Sequence, residues 1–177
     1  FVFPTYLGAP ATGGSASLTA SNGGSVTVSG ALRADARGVG GDATVADESG
    51  GNAVGGTVAV TLGGGGIEAQ GGATFIADAV GGDAPGTAND GSAIAGFVGM
   101  NDGLPSSTGT LTVVGDFNVS ARGLVAAADG RGINLSLDGG VIDVTGASTL
   151  RSNGSIGLSL TNGTSFDTTL ALIIQSD

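Results

Sequence analysis

Apolar and polar residues alternate one for one along most of this chain, in short runs bounded by Gly, Asn and Ser. SASLTA, SVTVS and ALRADA follow one another across residues 15–36, and TVAVTL, GIEAQ and ATFIADA across residues 57–79. A period of two is what a half-buried strand requires, because successive side chains leave the backbone on opposite faces. The pattern therefore predicts an all-β chain of short strands joined by glycine-bearing turns.

The runs themselves recur. Ala11–Ala43 overlays Ala53–Ala84 with one residue dropped near the central glycines, a repeat of about 42 residues, and both copies end in VGGDA at 39–43 and 80–84. Further on, segments starting at Gly109, Gly132 and Ser155 step by 23 residues. Stacked, they place Thr112, Leu135 and Leu158 in one column, Val114, Leu137 and Leu160 in a second, and Leu124, Ala147 and Leu170 in a third. Ladders of this kind predict a parallel β-solenoid, in which each strand pairs with its equivalent one coil away, about 4.8 Å along the axis. About five three-strand coils are expected, beginning near Ala11, Ala53, Gly109, Gly132 and Ser155. The long units then carry corner insertions at 44–52 and 85–108, within a solenoid spanning 11–177, and residues 1–10 form an apolar end strand or docking segment. A β-sandwich also has short strands and turns, but gives no reason for a fixed 23-residue register.

Composition fits a narrow bore. The 37 glycines follow no three-residue period, which excludes collagen, and an apolar share of 40% argues against disorder. Aromatics are scarce: six Phe and one Tyr. Lys, His, Cys and Trp are absent, so disulfides, thiolate or imidazole metal sites, a histidine general base and a lysine Schiff base are all excluded. A net charge of −10 with five arginines makes nucleic acid an unsuitable partner. No run of eighteen apolar residues exists to span a membrane as a helix. FVFPTYLGAP lacks a basic leader, so the opening reads as a mature or excised segment rather than a signal peptide.

Several residues invite chemistry. Asp42 and Asp83 occupy identical VGGDA settings and are the candidate calcium ligands, with Asp47, Glu48 and Asp90 nearby. Calcium wants six to eight oxygens, and the tandem GGxGxDxUx pattern of calcium-binding β-rolls is missing, so a glycine-aspartate turn is the favoured reading and no cofactor is expected. Outward acids such as Asp35, Glu68, Asp78, Asp116 and Asp143 are scattered rather than paired as a glycosidase requires, which argues against an enzyme. A threonine ladder for ice binding breaks at Ile133 and Ile156. The sequons at Asn118, Asn134, Asn153 and Asn162 are explained by turn chemistry and composition. Phe1, Phe3 and Tyr6, with Phe97 and Met100 in the second insertion, are the candidate partner contacts.

The stretches ATGGSASLTASNGGSVTVSG, GGDA and GGNAVGGTVAVTLGGGGIEAQG resemble the repeat regions of large bacterial surface proteins, the filamentous-haemagglutinin-like and autotransporter-type adhesins. The resemblance covers the chain from Ala11 onward and rests on composition and rhythm. It implies a right-handed β-solenoid at the bacterial cell surface or in the extracellular space, serving as a stalk, adhesin or filament without catalytic residues. Expected partners are another copy end to end or the continuation of a longer chain, together with a host or surface glycan. The competing expectation is a β-helix that binds or cleaves carbohydrate.

Overall fold

The computed structural model describes residues 7–86, 88–101, 108–123 and 132–176. The first unit contains β1 (Ala11–Thr12), β2 (Ser15–Thr19), β3 (Ser25–Val28), β4 (Leu32–Asp35) and β5 (Gly38–Val39). The second contains β6 (Ala53–Val54), β7 (Thr57–Thr61), β8 (Gly66–Ala69), β9 (Ala73–Ile76) and β10 (Ala79–Val80). The third contains β11 (Ala93–Ile94), β12 (Phe97–Asn101), β13 (Thr110–Val113) and β14 (Phe117–Ala121). Then come β15 (Ile133–Asp138), β16 (Val141–Val144) and β17 (Ser148–Ser152), and finally β18 (Ile156–Thr161), β19 (Ser165–Thr168) and β20 (Leu172–Ser176).

Every named strand pairs in parallel with its counterpart in a neighbouring coil, giving a parallel β-solenoid of five coils. Three five-stranded faces enclose the bore: β2-β7-β12-β15-β18 on the first, β3-β8-β13-β16-β19 on the second and β4-β9-β14-β17-β20 on the third. The alternation seen in the sequence is the in-out alternation of these faces. Ala16, Val58, Val98, Ile133 and Ile156 form one inward column, and Leu18, Val60, Met100, Leu135 and Leu158 the next.

Volume is balanced between neighbouring columns. On the third face the column Leu32, Ala73, Phe117, Ser148, Leu172 runs beside Ala34, Phe75, Val119, Leu150, Ile174, so in the first four coils the larger residue of one column meets a smaller one in the other. Ala73 and Ser148 thus leave room for the Phe117 ring, which meets Phe75 edge-on at 5.8 Å and lies 6.1 Å from Phe166. Such large-small interdigitation is how a narrow core reaches close packing. The corner between the first two faces turns through Asn22-Gly23 (φ 54° and 75°) and again through Asn162-Gly163 (φ 53° and 80°), the left-handed pair that a tight turn demands.

The structure corrects the expected register of the C-terminal half. The third coil begins at Phe97, not near Gly109, and Met100 rather than Thr112 pairs with Leu135. Thr112 instead pairs with Asp143 on the outside of the second face, because GTLTV is the second strand of its coil. The expected insertion at 85–108 therefore includes a return strand, β11, and a full coil strand, β12. The last step is not uniform either. Ile133 pairs with Ile156, but Val141 pairs with Ser165 and Ser148 with Leu172, since one extra residue sits in the Thr161–Ser165 turn. Leu170 and Val114 consequently leave the expected columns and are exposed at 72% and 43%, whereas Leu137 does pair with Leu160. Leu124 lies outside the described residues.

Candidate functional site

The VGGDA segments lie within lateral arms that leave the first two coils after the third face and return to the first. The two legs of each arm run antiparallel and bond backbone to backbone: Gly51 N–H donates to Gly41 O at 2.8 Å and Gly56 N–H to Ala36 O at 2.6 Å. Gly91 to Gly82 at 2.8 Å and Gly96 to Ala77 at 2.7 Å repeat the pattern one coil on. Each leg is also bonded axially to its equivalent, for example Gly40 N–H to Val80 O at 2.8 Å and Ala53 N–H to Ser92 O at 2.8 Å. The legs approach so closely that only glycine fits between them. A methyl on Gly40 would stand 2.1 Å from Gly51 O, and one on Gly81 1.8 Å from Gly91 O. The arm has its own small core of Ala53, Ala79 and Ala93, separate from the bore.

This geometry gives Asp42 and Asp83 a structural task. Asp42 Oδ1 accepts the Asp83 backbone N–H at 3.0 Å, and Ala43 N–H donates to Asp83 O at 2.9 Å, so the two turns are stitched across the coil step. Asn52 Oδ1 accepts Ser92 N–H at 2.9 Å across the same step, while Asp90 Oδ1 accepts Ala84 N–H at 2.9 Å within the second arm. Among the described residues, no group of three or more carboxylates gathers to hold a metal ion.

The candidate partner contacts separate. Phe1, Phe3 and Tyr6 lie outside the described residues. Phe97 is half-buried on the outer surface of the first face, its ring lying over Gly99, where a methyl would come within 2.6 Å of it. Met100 is a correction: it points into the bore at 2% exposure and offers nothing to a partner. Its position in β12 follows from the coil register, in which Val98 and Met100 fill the inward columns.

Charge is sorted by face, which the linear sequence did not reveal. The four described arginines, Arg33, Arg37, Arg122 and Arg151, all belong to the third face or the corner that follows it, with only Asp35 and Asp78 among them. Arg33 and Arg37 converge on Asp35 Oδ2 at 2.7 and 2.9 Å. The Arg37 hydrogen bond, reinforced by Arg33 against partial desolvation, lowers the Asp35 carboxyl to about 2. Asp78 accepts Ser120 Oγ–H at 2.6 Å and Arg122 N–H at 2.8 Å, with the Arg122 guanidinium at 3.3 Å. The second face is the counterpart: Thr27, Glu68, Thr112, Asp143 and Asp167 form an outward column without a cation. The arginines come from LRADAR, NVSAR and TLRS, each the third strand of its coil, so register was the missing signal.

The axial ends are the remaining surfaces. In the first coil, inward residues Ala16, Leu18, Val26, Leu32 and Ala34 are only partly buried. In the last, Leu158, Leu172 and Ile174 are exposed at 37%, 40% and 52%. Among the described residues no helix is long and apolar enough to cross a membrane. Comparison with known protein families, with curated proteins and with solved structures finds no match to this chain.

Proposed function

We propose that the chain is a structural and adhesive segment of a secreted bacterial surface protein, building a rigid stalk or extracellular filament by axial β-stacking, and that it performs no catalysis. The observation that carries this reading is the pair of axial ends. Among the described residues, β2, β3 and β4 at one end and β18, β19 and β20 at the other pair on one side only. An open strand edge above a partly exposed apolar bore is a template for a further strand. Whether the next coil belongs to a continuation of this chain or to another copy, addition at both ends is head to tail and does not close, which makes a fibre. The small inward residues of the first coil, Ala16 and Ala34, complement the larger Ile156, Phe166 and Ile174 of the last. The resemblance to adhesin repeats supports the cell-surface setting.

Electron microscopy and sedimentation of the 177-residue chain over a concentration series provide the test. Filaments of solenoid width that lengthen with concentration are expected. Dispersed short rods at high concentration would remove the self-assembly part of the reading, and a charged substitution in the bore at one end, Leu158→Glu, is expected to stop growth at that end.

A further inference from the structure

The third face carries a groove of about 260 Å³ on its outer surface, between β9, β14 and β17. Its floor is the axial column Thr74, Asn118, Thr149, and Arg122 and Arg151 stand on the neighbouring positions. Two features single it out. Arg151 is exposed and, among the described residues, has no ion pair or hydrogen bond of its own, unlike Arg33, Arg37 and Arg122. The side chains of Thr74, Asn118 and Thr149 likewise engage no partner among the described residues, although both threonines are half-buried. An unneutralised guanidinium beside a row of unengaged hydroxyl and amide groups is a recognition surface for a polar, acidic ligand.

We propose that this groove binds a carboxylate-bearing saccharide chain laid along the rod axis, with Arg151 receiving the carboxylate and Asn118 and Thr149 bonding the sugar hydroxyls. The proposal deepens the adhesive part of the function proposed above. Competing ligands fit less well. A peptide would add as a strand, but β9, β14 and β17 are each paired on both sides, so no backbone donors remain to receive it. Nucleic acid brings dense phosphate to a chain of net charge −10, and a second copy brings another −10. A saccharide sets its carboxylates among neutral hydroxyls, so Arg151 is met by a carboxylate and the unengaged Asn118 and Thr149 by sugar hydroxyls, a pairing that dense phosphate does not offer. The Asp78 pair holds the Arg122 guanidinium at the edge of the groove, which leaves Arg151 as the principal cation.

Titration of the full chain with oligogalacturonate, its methyl ester and poly-glutamate, by calorimetry or by Asn and Arg side-chain NMR, tests this. Binding is expected for the free acid, weakened by salt, with about tenfold loss in Arg151→Gln, a smaller loss in Asn118→Ala and none in Arg33→Gln, which lies outside the groove. No binding of the acid, equal binding of its methyl ester, equal binding by Arg151→Gln, or preference for poly-glutamate would each overturn the proposal. The readout is independent of rod length, so failure of axial assembly and failure of glycan binding are distinguishable.

Discussion

Replacing Gly82 by alanine tests whether the arms are held by backbone packing. Gly82 does not occupy the left-handed region, so the obstacle is contact alone. The new methyl would meet Gly41 O at 2.0 Å and Gly41 C at 2.5 Å, whereas real Cβ contacts begin above 3.0 Å. The leg must therefore move by more than about 1 Å. That motion breaks the two bonds through this residue, Gly82 N–H to Gly51 O of the neighbouring arm at 2.9 Å and Gly91 N–H to Gly82 O within its own arm at 2.8 Å. At about 1 kcal/mol each, plus about 1–3 kcal/mol for overpacking, the cost is about 3–5 kcal/mol.

The loss should be local, because the alanine core of the arm is separate from the core of the bore. Amide hydrogen exchange resolves this: protection at Gly41, Gly51 and Gly91 is expected to fall by about two to four decades, while Leu111 and Leu135 in the bore keep theirs. Gly14→Ala is the control, since a methyl there meets nothing within 4 Å. Equal protection in Gly82→Ala and Gly14→Ala would refute the close-packed arm.

Four further outcomes follow from particular contacts. Phe117→Ala removes the ring between Phe75 and Phe166 and is expected to cost about 3–5 kcal/mol in denaturant unfolding, more than truncation of any outward residue. Ser148→Ala is expected to stabilise by about 1 kcal/mol, because the Ser148 hydroxyl is fully buried without a partner among the described residues; a destabilised variant would show that the hydroxyl is bonded. Asp35 titrates at about 2 when folded against an ordinary 3.8, so its contribution is complete above pH 3.8 and is lost as pH falls towards 2. Screening at this exposed triad limits that contribution to about 0.5–1 kcal/mol, which Asp35→Asn should remove at pH 7 and leave unchanged near pH 2 in thermal melts. Asp42→Ala is expected to lower arm protection by the value of one capping bond, about 1 kcal/mol, equally with calcium and with chelator; a calcium-dependent difference would restore the metal reading.

The N-terminal half of this architecture was legible because its repeat is long and its columns are conspicuous. Ala11 pairs with Ala53 at a step of 42 and Ser25 with Gly66 at 41, so the one-residue deletion read from the glycines is real. The third copy of that unit was hidden. Its opening, AIAGFVGMN, departs from ATGGSASLT and AVGGTVAVT at a glycine and places Phe97 and Gly99 outward, which obscures the shared Ala-x-x-Gly rhythm. The 23-residue spacing from Gly109 to Gly132 then offered a false register of good appearance, because any two alternating strands can be overlaid. Only the demand that apolar residues fill one continuous bore rejects it. Val98 and Met100 satisfy that demand, and Thr112 does not.

Surface chemistry depends on the same register. A solenoid brings residues tens of positions apart to about 4.8 Å spacing along one column, so each face is assembled from one strand per coil. Moving the third coil start from Gly109 to Phe97 turns TLTV into a second-face strand and NVSAR into a third-face strand. Thr112 thereby joins Glu68 and Asp143 on the acidic face, and Asn118 and Arg122 join Thr149 and Arg151 on the basic one. Under the misread register, neither the charge segregation nor the groove would exist. The arms obey a different rule: their legs touch without intervening side chains, so the positions that face the opposite leg are Gly or Ala, while larger residues such as Val39, Val54 and Ile94 occupy the other positions. The outer faces carry no such restriction, because their backbone bonds are completed by neighbouring coils whatever the outward side chain. That freedom is why ligand recognition on this scaffold is to be sought in outward columns such as Thr74, Asn118 and Thr149, and not in the repeated VGGDA turns.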